Sequence, residues 1–183
     1  ALAMGAEKAV LVSDDALKGS DALGTAKVLA KAIERAGSYD LILAATESTD
    51  GYTGTTPVQV AELLGLPSVT FAKSITTDGS TVQVERQTEE GYDEVECPLP
   101  AVVTVTAGVV EPRYPSFKGI MAAKGKPVEE LKVSDLEGVG DLAVTQEITD
   151  VTAAEERKAG EKVVDEGDAH EKIVAFLEKL KVI

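Results

Sequence analysis

Cysteine and histidine each occur once in the 183 residues, at Cys97 and His170, tryptophan is absent and aromatics make up 4%. A lone thiol excludes an internal disulfide, a C-x-x-C redox pair and a thiolate cluster for zinc or iron–sulfur. A reducing cytoplasm is the matching compartment. With no second imidazole, neither a catalytic triad nor a histidine-based metal site can be assembled. His170 reads as a solvated surface residue, and Cys97, which precedes a proline and has no local base, as a passive, half-buried thiol. Positive charge is scarce as well: 18 Lys and Arg against 32 Asp and Glu leave a formal net charge of −14. No basic cluster offsets that field, which argues against nucleic acid as a partner. No apolar run approaches the ~20 residues that span a bilayer, and no basic segment with an apolar h-region opens the chain, so membrane insertion is not expected. The strings G-x-x-x-x-G-K-[ST] and G-x-G-x-x-G are missing, which removes Walker-type hydrolysis and the dinucleotide fingerprint. Among 32 acidic residues, spacing singles out no catalytic carboxylate pair.

What is abundant is aliphatic. The hydrophobic share is 44%, mostly Val, Ala, Leu and Ile, a composition that suits parallel strands covered by helices. "ALAMGAEKAVLVSD" reads as the last turn of a helix over 1–4, a stop at Gly5 and a strand over 8–12, as if the chain opened inside a βαβ unit. Sequence upstream is therefore expected. Ser20 is placed to cap a helix with Asp21 in its first turn, Leu23, Ala26, Ala30 and Ile33 on one face and Gly37 at its end. "YDLILAAT" follows as an apolar strand, and the order strand, helix, strand, helix implies parallel pairing through right-handed crossovers. From Pro67 the pattern alternates: "SVTFAKSI", a turn at Asp78 and Gly79, "STVQVERQ", a turn near Glu90 and Gly91, then "DEVECPLPAVVTVTAGVV". These predict antiparallel strands that extend the sheet, with Pro98 and Pro100 confining the run before Ala101 to an edge or connector and "AVVTVTA" buried. Residues 128–165 are acidic with scattered valines and no firm period, as expected of an arm extended over another surface. The tail recovers a helix, with Asp168 as cap, Glu171 three residues on, and Ile173, Phe176, Leu177 and Leu180 as an apolar stripe. Two parts are thus expected: an α/β domain over 1–127, and an arm with a helix over 128–183.

The stretch "LILAATESTDGYTGTTPVQVAELLGL" holds the first candidate site. Ala45, Thr46, Glu47, Ser48, Thr49, Asp50, Gly51, Tyr52, Thr53, Gly54, Thr55 and Thr56 form a loop after a parallel strand, on the edge where ligands collect in open α/β sheets. Thr56 is the N-cap candidate for the next helix, Pro57 takes its first position and Gln59 completes a T-x-x-Q capping box. Gly51 and Gly54 let the backbone turn toward a ligand, Thr53, Thr55 and Thr56 offer hydroxyls, and the free N–H groups of the helix point back into the loop. Lysine is absent, which suits holding a mono- or dinucleotide phosphate without activating it for transfer. The pattern alone serves a phosphate cradle and a plain connection equally well.

The second candidate is "EPRYPSFKGIMAAK". Pro112 and Pro115 stiffen its approach, Ser116 can cap a short helix, and Phe117, Ile120 and Met121 share one face. An aromatic and a methionine on a proline-braced projection suit an anchor in a partner's groove. On periodicity alone, packing against its own domain is the plainer reading.

Together these segments resemble the β subunit of electron transfer flavoprotein. The likeness runs in family order through "ALAMGAEKAVLV", "LAATESTDGYTGTTP", "LLGLPSVTFA", "VERQ", "PLPAVVTVTAGVVEPRYPSFKGIMAAKGKP" and "RKAG", and is most specific over 98–127. It implies a Rossmann-like parallel sheet of the adenine-nucleotide-binding type, extended by antiparallel strands, incomplete at its N-terminus, with an extended C-terminal arm ending in a helix. It further implies an electron carrier without bond-making catalysis in the bacterial cytoplasm: AMP held in loop 45–56, FAD mainly on an α subunit that the C-terminal arm embraces. Electrons would come from acyl-CoA and related flavin dehydrogenases of fatty acid oxidation and leave to a quinone oxidoreductase. The family's recognition loop corresponds to 111–127, with Phe117 as anchor, Ile120 and Met121 beside it, and Arg113 and Tyr114 bracing it. This chain departs from the pattern in having Phe117 where leucine is usual. It also has G-T-T-P at 54–57 where an N-Q-T-G-Q type run is common, and Gln87 where some members carry an acid after the arginine matching Arg86. Certain members hold a second FAD in place of AMP. From another class, a stand-alone adenine-nucleotide-binding enzyme or sensor remains the competing reading, distinguished by turnover of ATP.

Overall fold

The computed structural model describes residues 1–144, 148–154, 156, 160, 162 and 164–183, so that of the R-K-A-G run only Gly160 falls inside it. Contacts divide the chain into two compact units, Ala1–Glu147 and Ile148–Ile183.

The first unit contains β1 (Ala9–Val12), α1 (Ala22–Ala36), β2 (Leu41–Ala45), α2 (Thr56–Leu64), β3 (Ser68–Thr77), β4 (Thr81–Gln87), β5 (Tyr92–Pro98), β6 (Ala101–Val105), α3 (Phe117–Ala123) and β7 (Val128–Leu131). Five strands form one sheet in the order β2-β6-β3-β4-β5. β6 runs parallel to both β2 and β3, while β3, β4 and β5 pair antiparallel, so the parallel sheet with an antiparallel extension is present. The center of the parallel part is β6, where Ala101, Val102, Val103 and Thr104 are all buried, as a strand covered on both faces must be. β5, ending at Pro98, lies at the sheet's edge, where a residue without an N–H is tolerated. Val69, Ala72, Val82, Val84, Cys97, Ala101 and Val103 form the core cluster of this sheet. Cys97 is thus buried rather than half-buried, and burial pushes its thiol pKa up.

Two expectations fail here for identifiable reasons. The strand over 8–12 does not pair with β2; β1 pairs in parallel with β7, in a separate two-stranded sheet, with Ala9 opposite Val128 and Val12 opposite Leu131. Residues on the two sides of position 127/128 therefore pair as strands, and Val128–Leu131, at the start of the expected arm, is itself a strand. Leu131, Leu136 and Val139 join Val28 and Ala32 of α1 in a second core cluster. Exposed Glu129 and Glu130 mask β7 in the sequence; Arg35 of α1 reaches Glu129 at 2.9 Å. The second correction concerns α1 itself. Asp21, not Ser20, is its N-cap, its carboxylate accepting from the Gly24 N–H at 2.8 Å, while the Ser20 hydroxyl meets that of Thr25. Gly24, Ala26, Val28, Ala30 and Ala32 are buried but Leu23 is exposed. α1 contacts both α2 and β1, so small residues line more than the single stripe that the pattern suggested.

In the second unit, α4 (Ala169–Lys179) carries Ile173, Phe176 and Leu177, with Leu180 as its C-cap residue. Asp168 stands at the N-cap, but its carboxylate pairs with Lys172 at 2.9 Å and makes no capping bond. Asp165 caps instead, accepting from the N–H groups of Gly167 and Ala169, so the expected box with Glu171 is not formed. His170 is exposed. Among the described residues no helix is long and apolar enough to cross a membrane, and no group of acidic, His and Cys side chains could hold a metal.

Candidate functional site

β2 and β6 end together, Ala45 opposite Val105, and the chain leaves β2 into loop 45–56 at that carboxyl edge. Thr46 pins the loop's mouth by donating its hydroxyl to the Val105 carbonyl at 3.1 Å. One strand over, Thr106 donates both its N–H and its hydroxyl to the Ala72 carbonyl, at 3.0 and 3.2 Å. Between β3 and β6 the register shifts, and there Phe71 takes φ 58°, with its N–H donating to the Thr104 hydroxyl at 3.0 Å. A buried polar side chain thus fixes a bulge on the same edge.

Within the loop, the Tyr52 N–H donates to the Ser48 carbonyl at 3.1 Å. The chain then reverses through φ 50° at Tyr52 and φ 69° at Gly54, the latter a conformation in which glycine is free of strain. The Ser48 hydroxyl, followed by the backbone N–H groups of Asp50 and Gly51, holds the Asp50 carboxyl below its usual value. α2 starts at Thr56 with Thr55 as the flanking residue, which corrects the capping expectation. Thr55 has φ −110° and ψ −18°, not the extended backbone from which a cap reaches back, and no side-chain cap is made. Gln59 instead donates its amide to the Thr55 hydroxyl at 3.4 Å.

The failed box has a chemical consequence. Thr55 accepts from Gln59 and keeps its own proton for an outside acceptor. The Thr49, Thr53 and Thr56 hydroxyls have no protein partner among the described residues, and Gln59 Oε1 is buried without one. With no side-chain cap on α2, its first N–H groups also remain available. Glu47 is the opposing element: its carboxylate lies 3.6 Å from where a Cβ on Gly54 would stand. That acceptor repels a phosphate and suits a hydroxyl donor.

The second segment has the opposite character. Ser116 caps α3 as expected, its hydroxyl accepting from the Gly119 N–H at 3.1 Å. Phe117 is 80% exposed, and Ile120 and Met121 are exposed beside it, so this face does not pack on its own domain. Tyr114 is 92% exposed, and neither it nor Arg113 makes a hydrogen bond or ion pair among the described residues. The segment does make a bond that the sequence did not point to: Lys126 Nζ donates to the carbonyls of Leu2 and Ala6. Nothing local signals it, because both acceptors lie at the other end of the first unit's sequence.

Residues 1–136 match the electron transfer flavoprotein domain family. The electron transfer flavoprotein subunit beta of Mycobacterium leprae is 42% identical over 187 aligned positions, which span 100% of this chain and 70% of that protein. The chain belongs to the electron transfer flavoprotein beta-subunit family. The subunit beta of Thermoanaerobacterium thermosaccharolyticum is 41% identical over 138 positions, 75% of this chain and 53% of that protein. For Megasphaera elsdenii the figures are 38% over 136 positions, 71% and 50%. Both candidate segments, 45–56 and 111–127, lie within the residues that match the electron transfer flavoprotein domain.

Proposed function

We propose that this chain acts in electron transfer as the β subunit of an electron transfer flavoprotein, holding AMP in loop 45–56 and docking a flavin dehydrogenase through α3. The observation that carries the first half is the set of unspent donors at the β2–β6 edge: the hydroxyls of Thr53, Thr55 and Thr56 and the uncapped start of α2. These residues fit a phosphate, and the Glu47 carboxylate fits a ribose hydroxyl. With no lysine in the loop, the site holds a nucleotide and does not activate it.

FAD, held mainly by an α subunit, supplies the one- and two-electron chemistry when bound. This chain's residues bind and orient. The apolar stripe of α4 offers the α subunit a surface, and Phe117, Ile120 and Met121 offer one to an acyl-CoA dehydrogenase. Electrons pass on to a quinone oxidoreductase, and the subunit itself makes and breaks no bonds in the cytoplasm where it works. Mass spectrometry of the nucleotide released from the denatured heterodimer tests the first half. One AMP per β subunit is expected; FAD in its place would correct the ligand, and an empty site with ATP turnover would favor a stand-alone nucleotide-binding enzyme.

A further inference from the structure

We propose that Lys126 and Gly119 are positioning residues, which set the pose of α3 and so the docking of the dehydrogenase by clasping the turn Leu2–Met4. The inference rests on the reading of α3 as the docking helix. No residue of α3 is buried, so no hydrophobic core orients this seven-residue helix. A helix that short has little stability of its own. Something outside it must hold it.

Two contacts do so, one at each end. At the N-terminal end, a Cβ on Gly119 would collide with the carbonyl of Ala3. Gly119 has ordinary helical φ, so the backbone does not require glycine, and glycine weakens a helix interior. What the missing side chain permits is direct backbone contact between α3 and the turn. At the C-terminal end, Lys126 Nζ donates to Leu2 O at 2.9 Å and Ala6 O at 2.6 Å, carbonyls on either side of the reversal at Gly5. No carboxylate pairs with Lys126 among the described residues, so its charge serves these carbonyls alone. The Lys126 N–H donates to the Ala123 carbonyl, which ties the clasp directly to the last residue of α3. Immediately beyond, the Pro127 carbonyl accepts from the Ala9 N–H and starts the β1–β7 pairing. The apolar face of Phe117, Ile120 and Met121 is therefore aimed by contacts with a neighboring turn that the partner need not touch.

The test uses the assembled heterodimer and measures KM and kcat for reduced acyl-CoA dehydrogenase, with AMP content, FAD content and Tm. Lys126→Met should raise KM about tenfold, the scale of one lost charge-assisted hydrogen bond, with kcat and both cofactor contents unchanged. Lys126→Arg, which still donates, should restore most of the loss. Added to Phe117→Ala, Lys126→Met should raise KM no further, because the clasp acts only through the face that it aims. A raised KM for Phe117→Ala with none for Lys126→Met overturns this inference and leaves the docking reading intact. An unchanged KM for Phe117→Ala removes the docking reading and the inference together. If the two effects multiply, Lys126 has a merely structural role and the inference fails. Should Lys126→Met not assemble, Gly119→Ala decides: a KM rise of similar size supports the clasp, and an unchanged KM overturns it.

Discussion

Loop 45–56 and segment 111–127 leave opposite kinds of group unsatisfied. In the loop, the surplus is polar: hydroxyls of Thr49, Thr53 and Thr56 without protein partners, a Thr55 proton left free, and an orphaned Gln59 oxygen. In α3 the Ser116 hydroxyl caps the helix start and the Lys126 N–H bonds the Ala123 carbonyl at its end, and the surplus is apolar, with Phe117 80% exposed. Hydroxyl donors without a protein partner, set beside a helix start with no side-chain cap, suit a small polar ligand. An uncovered aromatic calls for a macromolecular surface with a pocket for it. The difference fits the distinct partners proposed for two segments that both look like loops preceding a short helix.

The comparison breaks most sharply at Phe117. As the central apolar anchor, Phe117→Ala should reduce dehydrogenase affinity by about 30-fold, the scale of a 2 kcal/mol hot spot, while AMP content stays unchanged. Loss of AMP in that variant would mean that the two segments are one site. The reciprocal change is smaller. Gly54→Ala places a side chain at φ 69°, a strain of about 1–2 kcal/mol, so AMP should bind on the order of tenfold more weakly with dehydrogenase KM unmoved. Isothermal titration with AMP on nucleotide-stripped protein reads the first quantity, and steady-state kinetics the second.

How much of this was legible depends on how local the cause is. The hairpin turn at Asp78, the buried run at 101–104 and the edge placement of Pro98 follow from alternation and from proline's missing N–H, and the structure has them. The Ser116 cap and the stop at Gly5 are equally local. Caps move by a residue where two candidates adjoin, as Ser20 with Asp21 and Thr55 with Thr56 show, because backbone dihedrals decide which side chain can reach back. What stayed hidden is non-local. β7 carries two glutamates in four residues and becomes a strand only because β1 is there to pair with it. Lys126 reads as a solvated lysine until its acceptors at Leu2 and Ala6 come into place. Periodicity grouped Phe117 with Ile120 and Met121 correctly; it could not say what lies opposite them.

The smallest expected effect concerns acid, and it compares what supports a carboxylate in loop 45–56 with what supports one in the β3–β4 turn. Asp78 closes the β3–β4 hairpin by accepting from the Thr81 and Ser80 N–H groups at 2.8 Å each and from the Ser80 hydroxyl at 2.9 Å, which lowers its pKa to about 2. Asp50 in loop 45–56 is lowered as well, first by the Ser48 hydroxyl and then by backbone N–H groups. In both cases the folded pKa lies below the unfolded one, so the contribution to stability is complete above the ordinary carboxylate range and is lost as pH falls through the folded value. Both groups are solvent-exposed, which keeps either contribution small. Carboxyl NMR titration should therefore show Asp78 with a midpoint near 2 and Asp50 below its usual value of 3.8. Ser48→Ala should move Asp50 upward and leave Asp78 in place, because the Ser48 hydroxyl is the leading support of the first and plays no part in the second. An unmoved Asp50 would show that the loop is held by its backbone like any turn. The upward shift would show that the Ser48 hydroxyl, rather than the backbone alone, supports the Asp50 carboxylate.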